Sequence, residues 1–210
     1  MRAVIFDLWE TLIDWDRAAA ALMVERISAL VGDGFGERWS RSQNRYVAPI
    51  RTALADVGVP PEHMEAVCDL RLDYVRGCLA PRAGAVDTLR ELRARGKKVG
   101  LITVCSEEVE TAWPESAFAG LFDAEVFSNA VGLAKPDPRI YLHCCELLGV
   151  EPGEAVFVGD GANDELEGAR RVGMEAILIH RPGEDPPWAE AKAWTGPRVT
   201  SIPAVLALVD

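Results

Sequence analysis

No apolar stretch of this 210-residue chain exceeds seven residues, the longest being Ala18 to Val24. A membrane-spanning helix needs about 20, so no transmembrane segment is expected. The start of the chain places only Ala3-Val4-Ile5-Phe6 between Arg2 and Asp7, too short for the apolar region of a secretory signal. Cysteine is scarce and poorly spaced: five residues, none in a Cys-x-x-Cys pair, with Cys144 and Cys145 adjacent. That excludes a disulfide framework and a zinc site, and reduced thiols in a cytoplasmic protein are expected. Positive charge is the minority sign. Lys and Arg number 22 against 33 Asp and Glu, a formal net charge of −11. The chain therefore lacks the basic footprint that nucleic acid or an anionic membrane surface demands. His63, His143 and His180 are too scattered to form a metal site. There is no internal repeat at a period of about 20–50 residues and no low-complexity tract.

What is present is an ordinary globular composition, 49% hydrophobic and 26% charged. The length allows one large domain, or one with a modest insertion. Five short runs are almost wholly apolar: Ala3 to Phe6, Val99 to Thr103, Ala124 to Phe127, Ala155 to Val158 and Ala176 to Ile179. Strands that read this way are buried on both faces, as in a parallel sheet. Helical patterns lie between them. Ala85 to Arg95 puts Val86, Leu89 and Leu92 on one face and stops at Gly96. Asp137-Pro138 caps a segment carrying Ile140, Cys144, Leu147 and Leu148, which ends at Gly149. A third helix is expected over Asp164 to Val172, ending at Gly173. Tyr141 lies within the second of these and is expected to pack there. The alternation predicts an α/β core.

Residues 14–81 break the pattern. They contain no convincing strand. Asp16 caps a helix to Leu30, a second helical stretch from Glu37 is interrupted at Pro49, and a third follows Pro60-Pro61 with Met64, Val67, Arg71, Tyr74 and Cys78 along one side. This reads as an all-helical insertion.

Open α/β sheets bind ligands beyond the carboxyl ends of their strands. The residues delivered there are Asp7, Thr103 and Gly159-Asp160, with Asp164 four further on and Lys135 in the loop before the Pro-capped helix. Carboxylates suit a hard divalent cation such as Mg²⁺. An aspartate at a strand end can also attack phosphorus or carbon. Lys135 and Thr103 can stabilise a transferring anion.

These residues and their order resemble the haloacid dehalogenase (HAD) superfamily of hydrolases. The resemblance is carried by Phe6-Asp7-Leu8-Trp9-Glu10-Thr11-Leu12, the strand ending at Thr103, Lys135-Pro136-Asp137-Pro138-Arg139-Ile140-Tyr141, and Val158-Gly159-Asp160-Gly161-Ala162-Asn163-Asp164, with the key positions 96, 32 and 25 residues apart. The glycine-containing last stretch is not a P-loop, since it lacks Gly-Lys-Ser/Thr. The resemblance implies a Rossmann-like parallel sheet of order 5-4-1-2-3, a core of residues 1–13 and 82–210, and a helical cap of residues 14–81. It implies Asp7 as nucleophile, Thr103 and Lys135 as binders of the transferring group, and Mg²⁺ held by Asp7, the Trp9 backbone carbonyl, Asp160 and Asp164.

One position departs from the phosphatases of the family. Where they carry a second Asp as general acid–base, this chain has Trp9, whose indole only donates and does not titrate usefully. The 2-haloacid dehalogenases of the family also lack that Asp, displace halide, and need no Mg²⁺. The paired Asp160 and Asp164 favour a Mg²⁺-dependent phosphohydrolase, with a 2-haloacid dehalogenase-like hydrolase, or a weakly active or non-catalytic HAD-fold protein, as alternatives. The substrate is then a small molecule, phosphorylated or haloacid-like. Glu10 is a candidate substitute acid. Trp9 and Trp15 are candidates for an aromatic pocket wall. Arg41, on one face with Arg45, is a candidate reader of a substrate anion. Cys105 falls near the crevice. Trp113, Trp188 and Trp194 carry no motif, and Pro182 to Pro187 reads as a surface loop.

Overall fold

The computed structural model describes residues 1–181, 183, 186 and 188–209. The surface loop expected over Pro182 to Pro187 therefore rests mainly on residues outside those described. Six parallel strands form one sheet: β1 (Ala3–Phe6), β2 (Lys98–Thr103), β3 (Ala124–Phe127), β4 (Ala155–Gly159), β5 (Glu175–Ile179) and β6 (Arg198–Val199), in the order β3-β2-β1-β4-β5-β6. The first five strands stand in the expected order. The two-residue β6, paired to the outer edge of β5, is too short to show as an apolar run.

Alternate residues of each strand face opposite sides. Val4 and Phe6 join Leu101, Val158 and Ile177 in one apolar cluster, while Ala3 and Ile5 join Ile102, Phe157 and Leu178 in another. Both clusters are covered by helices, which is why the strands are apolar throughout. The covering helices are α5 (Ala85–Ala94), α6 (Glu107–Ala112), α7 (Ser128–Val131), α8 (Pro138–Leu148), α9 (Glu165–Arg171) and α10 (Ala189–Ala193). Asp137 caps α8 by accepting the Arg139 N–H at 2.9 Å, and Gly149 closes it in the left-handed region at φ 66°.

Residues 17–78 hold α1 (Arg17–Val31), α2 (Phe35–Arg41), α3 (Ile50–Asp56) and α4 (Met64–Cys78). Asp16 caps α1 through the Ala19 N–H at 2.8 Å. The four helices enclose their own apolar cluster around Ile27, Phe35, Trp39, Leu54 and Val67. The chain leaves and re-enters the sheet layer at one place, where Ile13 bridges Pro81 and the Arg82 N–H donates to Leu12 at 2.8 Å. Polar ties join this helical block to the α/β layer. Arg71 of α4 forms a buried ion pair with Glu108 of α6, Ser128 Oγ donates to the Tyr46 carbonyl at 2.6 Å, and the Ile50 N–H donates to Glu107 at 2.6 Å. No helix among the described residues is long and apolar enough to cross a membrane.

Candidate active site

The pairing register brings the carboxyl ends of the central strands level. Phe6 aligns with both Leu101 and Val158, and the Asp7 N–H donates to the Val158 carbonyl at 2.9 Å. Asp7 therefore emerges between the ends of β2 and β4. Lys135, in the loop between α7 and α8, places its Nζ 2.5 Å from Asp7 Oδ1 and 2.6 Å from Glu165 Oε2. Asp160 follows β4 and accepts the Ala162 N–H on Oδ1 at 3.0 Å. Glu165 opens α9 and accepts the Gly161 N–H on Oε1 at 3.0 Å. This approach explains the glycine ending β4, because a Cβ on Gly159 would lie 2.1 Å from Glu165 Oε1.

Asp7, Asp160 and Glu165 are all buried, and each offers an oxygen within 4.8 Å of the others. Three carboxylates against one ammonium leave a surplus of negative charge. Burial, then the neighbouring Asp7, raises the pKa of Asp160. Burial also pushes Glu165 well up, against the pull of Lys135. Burial works against the charge on Lys135, yet Asp7 and Glu165 outweigh it and hold the ammonium firmly protonated. Hard oxygens at this spacing are the donor set a Mg²⁺ ion takes. Asp7 Oδ1 is held by Lys135, and no hydrogen bond engages its Oδ2 among the described residues.

A cavity of about 430 Å³ opens from this cluster towards the helical block. Trp9, Glu10 and Trp15 line it. Glu10 is committed elsewhere: its Oε1 accepts the Trp15 N–H at 3.0 Å and its Oε2 lies 3.4 Å from Arg181. Trp15 stands at the rim, 43% exposed.

Three expected site residues, Asp164, Arg41 and Thr103, do not line the cavity. Asp164 is not in the carboxylate cluster. Asn163 and Asp164 both adopt left-handed backbone, at φ 52° and 58°, so the chain turns before α9 and carries the Asp164 side chain outward to 4.0 Å from Arg171. Glu165, one residue later, takes the inward place. Arg41 is also outside the cavity, exposed and paired with Glu37 at 2.7 Å. It does not share a face with Arg45, because α2 ends at Arg41 and Arg45 belongs to a separate turn at Asn44–Tyr46. Arg45 and Arg71 line the cavity instead.

Thr103 is fully buried at the end of β2, and Val104, Cys105 and Ser106 form the adjoining cavity wall. Thr103 Oγ1 makes no hydrogen bond of good geometry, with the Cys105 thiol as its polar neighbour. Burial pushes the Cys105 thiol far up, so it is protonated and inert. Trp188, which carries no motif, reaches the site from the far end of the chain and donates its indole N–H to Asp160 Oδ2. Only its aromatic character marked it in the sequence.

Comparison with known proteins agrees with this fold. A family model described as hydrolase, haloacid dehalogenase-like hydrolase, matches residues 1–173. The chain is 34% identical over 197 residues to phosphatase MT3486 of Mycobacterium tuberculosis, covering 87% of this chain and 88% of that one. Among solved structures, a HAD phosphatase from Thermococcus onnurineus superposes with a TM-score of 0.76 at 24% identity, covering 100% and 98% of the two chains. The L-2-haloacid dehalogenase RSc1362 superposes with a TM-score of 0.68 at 26% identity, again covering 100% and 98%.

Proposed function

The chain belongs to the haloacid dehalogenase-like hydrolases, and from that premise we propose that it is a Mg²⁺-dependent phosphohydrolase with Asp7 as nucleophile. The observation that carries this reading is the site itself. Lys135 holds one oxygen of Asp7 while the other has no hydrogen bond among the described residues, and Asp7 with Asp160 and Glu165 makes three carboxylates spaced for a hard cation. Asp7 Oδ2 attacks phosphorus as the bond to the leaving oxygen breaks, and the electron pair departs on that oxygen. Water then attacks the same phosphorus, releasing phosphate and restoring the carboxylate. Lys135 orients Asp7 and offsets the charge gathering around the phosphoryl group. Mg²⁺ would be held by Asp7, Asp160 and Glu165, with the Trp9 backbone carbonyl, and when bound would neutralise phosphoryl oxygens. The helical block supplies one wall of the cavity.

Trp9 sets the substrate class. A missing general acid removes about 10²–10⁴-fold in rate where the leaving group needs a proton. Acyl and aryl phosphates, which leave as stable anions, escape that loss in the first step, while water attacks the common aspartyl phosphate without a side-chain base at position 9. The test is phosphate release from acetyl phosphate and p-nitrophenyl phosphate with Mg²⁺ or EDTA. Turnover that needs Mg²⁺ supports the reading. A second reading, 2-haloacid dehalogenase chemistry, is favoured by Trp9 alone, since halide leaves without a proton. Chloride release from 2-chloropropionate that ignores EDTA, with no phosphate release, would replace the first reading with the second. Neither activity would leave a fold without chemistry.

Trp188 supports Asp160 in this scheme. Groups that orient metal-binding side chains typically govern affinity by 10–100-fold. Trp188→Phe keeps the aromatic bulk and removes the N–H. Mg²⁺ binding followed by calorimetry is expected to weaken about ten-fold, and unchanged affinity would show the contact to be idle.

A further inference from the structure

The cavity has two charged ends. At the inner end stand Asp7, Lys135, Asp160 and Glu165. In the wall formed by the helical block stand Arg45 and Arg71. Arg71 is 4% exposed, stacks over Trp39 at 3.8 Å, pairs with Glu108 and donates to Ser106 Oγ at 3.2 Å. Its Nη1 is buried with no hydrogen-bond partner. Arg45 donates through Nη1 to the Trp39 carbonyl at 2.7 Å and through Nη2 to the Tyr46 hydroxyl, and its Nε is likewise buried and unpartnered. No carboxylate lies within ion-pair distance of Arg45 among the described residues. Glu108 thus pairs with Arg71 alone, its Oε2 buried without a hydrogen-bond partner among the described residues, and Arg45 adds a second positive charge. Burial first, and the charge of Arg45 among lesser causes, lowers the affinity of Arg71 for its proton.

A net positive charge in a wall where Arg71 is buried and Arg45 half-buried, in a chain whose own net charge is −11, is costly without a counterion. The unpartnered N–H groups are the strong donors that a carboxylate accepts best. Between the two ends the wall is apolar and aromatic, with Trp9, Trp15, Met23 and Tyr74. The volume of about 430 Å³ suits a ligand of one ring and two substituents. We propose that Arg45 and Arg71 form a second anion subsite, and that the substrate is an aryl or acyl phosphate whose leaving group carries a carboxylate. The proposal rests on the phosphohydrolase reading for the phosphoryl end. The subsite selects substrate by binding and leaves the chemistry to Asp7.

The experiment compares phenyl phosphate with 3- and 4-carboxyphenyl phosphate, and in parallel the binding of benzylphosphonate with its 3- and 4-carboxy derivatives by calorimetry. The wild-type protein is expected to favour at least one carboxylated ligand about ten-fold or more, through KM for the esters and Kd for the phosphonates. Arg45→Gln should collapse that ratio, and Arg45→Lys, which keeps the charge and loses the planar fork, should restore part of it. A carboxylate preference in phosphonate binding without turnover of any ester would support the subsite and overturn the phosphohydrolase reading. Turnover with no carboxylate preference in wild type, or a preference that survives Arg45→Gln, would overturn the subsite.

Discussion

Asp7→Asn is expected to lower kcat for acetyl phosphate by about 10⁴-fold or more, as removal of a covalent nucleophile typically does. The substitution keeps the shape of the side chain and its place after β1, so the effect is chemical. Asparagine has no oxygen able to form and release a bond to phosphorus. The variant should stay folded. Asp7 is one of three carboxylates crowded around a single ammonium, and Lys135 retains Glu165 at 2.6 Å when the charge of Asp7 is lost. A phosphate-release assay with Mg²⁺, paired with a thermal melt, separates the two effects. Retention of more than about one-hundredth of wild-type turnover by a folded variant would remove Asp7 from the nucleophile role.

Much of this site was legible because its groups follow buried strands. The runs ending at Phe6, Thr103 and Gly159 are apolar on both faces for a reason, the two helical layers, and the first polar residue after each is where a parallel sheet opens to ligand. Asp7 and Asp160 stand there, and Lys135 meets them from the loop before α8. Glu165 escaped the reading because a carboxylate four or five residues beyond Asp160 is equally plausible on paper. The left-handed pair Asn163 and Asp164 decides it, and non-glycine residues adopt that conformation too rarely to be assumed. A four-residue spacing puts Arg41 and Arg45 on one face only while the helix continues, and α2 stops at Arg41. Trp188 lies 28 residues from Asp160 along the chain and beyond the segment shared with the family model. Only tertiary structure brings it in.

The lysine is the structural counterpart of the nucleophile. Lys135→Met removes the one cation from among Asp7, Asp160 and Glu165 and leaves three buried carboxylates facing one another. Removing one partner of a buried ion pair typically costs about 3–5 kcal/mol. In a chain of this size that is a fall in Tm of roughly 6–20 °C for the metal-free protein. The loss should depend on pH in a definite sense. Asp160 and Glu165 already bind protons more readily folded than unfolded, and without Lys135 they do so more strongly. A group whose pKa is raised by folding adds stability that is fully present below its unfolded value and lost as pH rises through the folded one. The stability deficit of Lys135→Met should therefore be small near pH 5 and grow towards pH 8. Mg²⁺ should narrow it at the higher pH by supplying the missing positive charge, raising the Tm of the variant more than that of wild type. Melts at the two pH values, each with EDTA or Mg²⁺, test both parts. A deficit indifferent to pH and to Mg²⁺ would mean that Lys135 serves packing alone and that the three carboxylates do not act as one charged site.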